Sequence, residues 1–207
     1  MSTFDSDFAA TPLDDRVGLR ATSLFALAIL LGMGLLYSAA GAGIGGLLFP
    51  AQAHGSLVER DGKVVGSVLV AQPFADARYF QPRPSAAGYD PMAAAGSNQA
   101  RSNPDLIKRI DEARAAVAVR DGIAPDRVPG DLVTQSGGGL DPDVSPEGAH
   151  VQVARVAKAR GLDPARVQAL VDANTRPRQL VVLGEPRVNV LALNLALDAA
   201  GPAAPPQ

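Results

Sequence analysis

Hydrophobic and polar positions are spread very unevenly along this chain. From Ala21 to Ala53 no side chain carries a charge. Thr22 to Phe49 alone exceeds the roughly 20 apolar residues a helix needs to cross a bilayer core of about 30 Å. Surplus length is absorbed by tilt or by an interfacial turn ending at Pro50. Ala39-Ala40-Gly41 offers the small residues of a cleavage site, but signal-peptide cores run about 7–15 residues and this block is about twice that. The pattern predicts a retained transmembrane helix over 21–49. Within it Gly41 and Gly45 are four apart, Ala42 and Gly46 repeat the spacing one step on, and Gly34 with Ser38 continues it upstream. Small residues at this period let a second helix approach closely in lipid, although glycine is also simply commoner in membrane helices.

Beyond the block the pattern changes period several times. Leu57 to Arg60, Asp61-Gly62 and Lys63 to Val70 read as a β-hairpin, because Asp-Gly suits a type I′ turn with two positive φ angles. From Phe74 to Asp105 periodicity is lost and prolines fall at 82, 84, 91 and 104, a long irregular stretch of the kind that is functional or mobile. Asn103-Pro104 then opens a helix with an N-cap and proline at its first position, and Leu106, Ile110, Ala113 and Val117 keep one apolar face. A short strand is expected over Asp131 to Thr134, followed by a loop at Ser136 to Gly139. Ser145-Pro146 and Asp163-Pro164 repeat the cap-plus-proline start, opening helices that carry Val151, Ala154 and Ala157, then Val167, Leu170 and Val171, with Gly161 between them. Val188 to Leu197 reads as a buried helix. The fold class expected is α+β: a cytoplasmic tail over 1–20, one transmembrane helix, a single soluble α+β domain over 50–198, and a disordered tail over 199–207.

Composition narrows the chemistry. A net charge of −2 over 207 residues leaves no large basic surface to neutralise phosphates, which argues against nucleic acid as a partner. The absence of cysteine removes disulfides, thiol nucleophiles and zinc–thiolate sites. The two histidines, His54 and His150, lie far apart in sequence with no metal-ligand pattern beside them, so metal: none. No G-x-S-x-G elbow and no G-x-x-x-x-G-K-[ST] phosphate loop occurs. Catalytic residues: none. Two weaker candidates survive. Backbone amides of Ser136, Gly137, Gly138 and Gly139 could face an anion, or the same residues form a plain turn. Asp131, Asp141, Asp143 and Glu147 could raise the local cation concentration. The ordinary alternative is turn formation for Asp141 and Asp143, a helix-dipole role for Glu147, and a plain solvated surface overall.

The order of motifs carries more than any one of them. Leu47-Leu48-Phe49-Pro50 and Gly55-Ser56-Leu57 are followed by Gly66-Ser67, Gln72-Pro73-Phe74, Tyr79-Phe80-Gln81-Pro82-Arg83-Pro84-Ser85-Ala86, Gly96-Ser97-Asn98 and Ser102-Asn103-Pro104. Gly139-Leu140-Asp141-Pro142, Ser145-Pro146, Gln152, Arg155-Val156-Ala157 and Ala159-Arg160-Gly161 come next, then Gly184 to Leu191 and Leu193-Asn194. Over about residues 16 to 198 the chain resembles the C subunit of the Kdp potassium-transporting ATPase. It departs at Gly138, where the family usually has serine in Ser-Gly-Ser-Gly, at Asp143, where it usually has histidine, and around Ala94 to Ala100.

The resemblance implies a complex in a bacterial inner (cytoplasmic) membrane with a potassium-translocating A subunit and an ATP-hydrolysing P-type B subunit. It also implies an accessory, non-catalytic role: assembly of the complex, and action as a catalytic chaperone that raises ATP affinity at the B subunit. No cofactor is expected to bind tightly to this chain, ATP being reached through the complex. The arginines independently give an orientation. Arg16 and Arg20 precede the span and the next basic residue is Arg60, which places the N-terminus in the cytoplasm. The soluble domain is then extracytoplasmic, on the opposite side from ATP, and the alternative role is that of a structural or cation-gathering subunit beside the A subunit without nucleotide contact.

Overall fold

A computed structural model describes residues 18–201 in two compact units, divided between His54 and Gly55. Residues 1–17 of the tail expected over 1–20, and 202–207 of the tail expected over 199–207, lie outside the described residues. In the first unit one helix, α1, runs Leu19–Leu48, about 45 Å at 1.5 Å per residue, which is longer than a bilayer core. Its middle, Leu30–Tyr37, opens to π geometry around Gly32 and Gly34, and the Ser38 hydroxyl reaches back to the Met33 carbonyl at 3.5 Å. Among the described residues of the unit nothing covers its apolar side chains: Leu24 and Phe25 are 68% and 69% exposed. An all-round apolar helix is stable only against lipid or another helix. Phe49 leaves helical geometry and Pro50 starts the short α2, Pro50–Ala53.

The second unit opens with β1 (Leu57–Arg60) and β2 (Lys63–Ser67), an antiparallel pair with a bulge at Val58/Glu59. Asp61 and Gly62 have φ of +52° and +72°, the two positive angles that the Asp-Gly turn requires. β2 stops three residues short of the expected Val70: the Ser67 hydroxyl turns back to the Gly55 carbonyl and accepts from the Leu69 amide, diverting the chain from the ladder.

All three cap-plus-proline starts form as the sequence dictates. Asn103 Oδ1 accepts from the Asp105 amide at the head of α3 (Pro104–Asp121), Ser145 Oγ from Gly148 at the head of α4 (Pro146–His150), and Asp163 Oδ1 from Ala165 at the head of α6 (Pro164–Asn174). Gly161 ends α5 (Val153–Arg160) in the left-handed region at φ +66°, a conformation that costs other residues a Cβ clash.

Three expectations are corrected. Asp131 to Thr134 is not a strand but a 3₁₀ turn, Gly130–Leu132. Leu132 and Val133 are both buried, which a pleat would place on opposite faces, and the Thr134 hydroxyl donates to the Gly130 carbonyl at 2.7 Å. The helix opened by Ser145-Pro146 breaks at Val151-Gln152 into α4 and α5, because the buried Gln152 side chain turns inward to bond Gly148 and Gln81. The buried face becomes Val153, Val156 and Ala157, while Ala154 points to solvent. Finally, the last apolar run starts as a strand, β5 (Arg187–Asn189), and becomes helix only at Val190, where Asn189 Oδ1 caps the Ala192 amide at 3.0 Å. That helix, α7 (Val190–Ala200), takes in the first residues of the expected tail.

β5 is the centre of a three-stranded antiparallel sheet, flanked by β3 (Asp143–Val144) and β4 (Thr175–Arg176). One core lies between this sheet and helices α3 to α7, with Phe80, Val156, Val167, Val188, Leu193 and Leu197 fully enclosed. The architecture is α+β with one N-terminal apolar helix.

Candidate functional site

The irregular stretch 76–86 has no regular secondary structure, yet side chains from distant parts of the soluble unit hold its backbone. Phe80 is fully buried, and its amide donates to Asn194 Oδ1 at 2.8 Å while its carbonyl accepts from Asn194 Nδ2 at 2.9 Å. Gln81 is bracketed the same way by Gln152: amide to Oε1 at 2.8 Å, carbonyl from Nε2 at 3.2 Å. Two side-chain amides thus do for consecutive residues what a neighbouring strand does, and the buried backbone groups are paired without a sheet. Each such bond contributes about 1 kcal/mol net, but a buried group left unpaired costs about 1–3 kcal/mol.

Two ionic lattices flank this strap. Asp121, whose carboxylate is fully enclosed, takes Arg155 Nε at 2.7 Å and Arg120 Nη2 at 2.6 Å. Arg155 also donates to the carbonyls of Ala77 (2.6 Å) and Tyr79 (3.0 Å) and to Gln152 Oε1 (2.7 Å). Burial pushes the Arg155 guanidinium below its ordinary value, opposed by the Asp121 carboxylate. At the other end Asp198 binds Arg160 at 2.7 Å, Arg60 at 2.8 Å and the Tyr79 hydroxyl at 3.2 Å. Burial raises the Asp198 carboxyl, but Arg160, Arg60 and Tyr79 outweigh it and hold the group below the usual carboxylate range. Arg160 further donates to the Arg78 carbonyl and stacks 4.8 Å over the Tyr79 ring.

The candidate residues of the glycine loop sit on that same strap. Ser136 is buried and its carbonyl accepts the Gly139 amide at 3.1 Å, closing a turn. The Gly139 carbonyl accepts the Ser85 hydroxyl at 2.5 Å. Gly139 has φ +71°, and a Cβ there would lie 2.8 Å from the Ala95 carbonyl oxygen; one on Gly96 would strike the Gly137 carbonyl. Glycine is needed here for close backbone approach between two loops. Gly137 and Gly138 are exposed.

Three of the four acids have partners. Asp131 Oδ2 accepts from the Ser145 amide at 2.7 Å. Asp141 pairs with Arg83 at 2.8 Å and accepts the Asp143 amide, forming the turn that its place beside Pro142 suggests. Asp143 meets Arg187 at 3.1 Å and Asn189 at 3.0 Å, and Glu147 lies exposed in the first turn of α4. Among the described residues no three His, Cys, Asp or Glu side chains converge as metal ligands would. In the other unit, a methyl group built on Gly41, Gly45 or Gly46 would meet nothing within 4 Å, so the face shared with Ala42 is open.

A sequence profile for the family described as "K+-transporting ATPase, c chain" matches residues 19–199. The chain belongs to the KdpC family. Among curated relatives, a potassium-transporting ATPase KdpC subunit from Xanthomonas campestris pv. campestris (strain B100) is 64% identical over 94% of this chain and 93% of its own. Those from Gemmatimonas aurantiaca and Kineococcus radiotolerans are each 54% identical, covering 90% and 88% of this chain and 95% and 94% of theirs. The likeness therefore includes both the span and the soluble unit.

Sequence reasoning missed two features. The amide and guanidinium lattice escaped because its members are far apart in sequence. Gln152, Arg155, Arg160 and Asn194 stood out only as motif letters, and Asp121 and Asp198 not at all. The second is an exposed apolar hairpin tip, Leu180 to Leu183, whose signal was four consecutive apolar residues between Arg178 and Gly184.

Proposed function

We propose that this KdpC-family chain works by docking, as the non-catalytic accessory subunit of a bacterial ATP-driven potassium-uptake complex. Its span, with the Gly41/Gly45 and Ala42/Gly46 face, packs against a helix of the potassium-translocating A subunit or the ATP-hydrolysing B subunit. Its soluble unit stands on the extracytoplasmic side, as the arginine bias before the span directs. The observation that carries this reading is where the polar side chains go: Asp121, Arg155, Gln152, Asn194, Arg160 and Asp198 are turned inward to hold the chain's own strap. Among the charged side chains left outside, the soluble unit also presents an exposed apolar run, Leu180 to Leu183, suited to contact. Any rise in ATP affinity at the B subunit is then transmitted through subunit contacts, with no nucleotide held on this chain. Cation gathering has little free charge to draw on, because Asp141 and Asp143 are paired with arginines.

A reporter fused after residue 201 tests the sidedness. An enzyme active only outside the cytoplasm should be active there, and a cytoplasm-only reporter active there instead would refute the orientation. Titrating the full-length chain in detergent with millimolar ATP should give no saturable heat. A saturable isotherm would assign nucleotide to this chain.

A further inference from the structure

Between β4 and β5 the chain makes a hairpin whose tip is Leu180-Val181-Val182-Leu183. These four side chains are 82%, 84%, 71% and 55% exposed, adjoining apolar surface on the order of 500 Å², as large as the biggest patch an ordinary soluble monomer shows. The tip is rigid. Gln179 and Leu183 exchange amide-to-carbonyl bonds at 2.8 Å in both directions, Arg178 and Glu185 pair below them at 2.6 Å, and β5 roots the hairpin in the core through the fully buried Val188. The tip is also strained. Leu180 and Val181 stand at φ +49° and +70°, a region that branched side chains avoid. Such strain, stored in an apolar turn without burial of the side chains it presents, is the arrangement of a pre-formed knob whose complement lies on another molecule.

We propose that this tip seats in an apolar pocket on an integral membrane subunit of the same pump, an inference that rests on the docking role above. The patch is too small to hold a second copy of this chain, since a stable interface buries about 800 Å² per partner. It suits a partner already held nearby by other contacts, as a subunit sharing the bilayer is. A lipid surface fits less well. The tip carries no tryptophan or tyrosine to anchor it in headgroups, and two of the flanking arginines, Arg178 and Arg187, are tied to Glu185 and Asp143.

The test places a photo-crosslinker at Val181, and separately at Leu180 (Val181→p-benzoylphenylalanine, Leu180→p-benzoylphenylalanine), in the full chain within native membranes. Irradiation should give an adduct identified by mass spectrometry as this chain joined to a membrane subunit of the pump. A variant that keeps normal amide-exchange protection over 76–86 but no longer co-purifies with the pump supports the inference equally. Adducts only with a second copy or with lipid, or none at either position in complexes that still co-purify, would overturn it while leaving the docking role intact. A wild-type chain that co-purifies with no pump subunit would overturn the docking role itself, and this inference with it.

Discussion

Replacing Asn194 by leucine removes one rung of the amide clamp while keeping the branched shape of the side chain, with two methyl groups in place of the amide oxygen and nitrogen. Asn194 is 2% exposed and both its polar atoms are spent on Phe80. The variant therefore leaves one buried N–H and one buried C=O with no partner. At about 1–3 kcal/mol for each stranded group, less what the added apolar contact returns, the loss is about 2–4 kcal/mol. A typical domain has only about 5–15 kcal/mol in all. Gln152 still holds Gln81, so opening should be centred on Phe80 rather than spread evenly. Hydrogen–deuterium exchange of the full chain in detergent reads this directly. Protection of the peptide covering 76–86 should fall by roughly 30- to 1,000-fold, the equivalent of that energy at 1.4 kcal/mol per decade. Protection of α6, which the clamp does not touch, should fall less. A loss below threefold over 76–86 would refute the reasoning that these side-chain amides substitute for a strand.

Gly139→Ala forces a Cβ against the Ala95 carbonyl at φ +71° and should cost about 1–3 kcal/mol, lowering the thermal midpoint by several degrees; an unchanged midpoint would show that the two loops do not need glycine. Because Asp198 titrates below its ordinary value when folded, its contribution is present above the unfolded pKa and is lost as pH falls through the lower folded one. The wild type should therefore weaken below about pH 4, and Asp198→Asn, less stable at neutral pH, should show a flatter acid limb. Parallel acid limbs in a pH series of denaturation midpoints would contradict this. In the span, Gly41→Leu should reduce recovery of the other pump subunits about tenfold if the glycine face is packed, read by quantitative immunoblot; equal recovery would remove that contact.

Local signals were legible wherever neighbouring residues decide the outcome. Asn103, Ser145 and Asp163 each announce a helix start because cap and proline act within one turn, and Asp61-Gly62 announces a hairpin for the same reason. The span was legible from length and lack of charge alone. Failures came where a distant partner overrides local preference. Nothing near Gln152 in sequence tells that its amide leaves α4 and α5 to bracket Gln81, and so nothing foretells the break between them. Val188 reads as helix until β3 and β4 are found on either side of it. The site followed the same rule. The glycines at 137 and 139 were visible, but the loop at 85–96 that they pack against was not.

The docking role is tested most directly by purifying the tagged full-length chain from native membranes under mild detergent and measuring what comes with it. Two larger membrane subunits should be recovered in amounts equal to this chain, and the assembly should hydrolyse ATP when potassium is added. Recovery of the chain alone, from membranes in which those subunits are present, would contradict it.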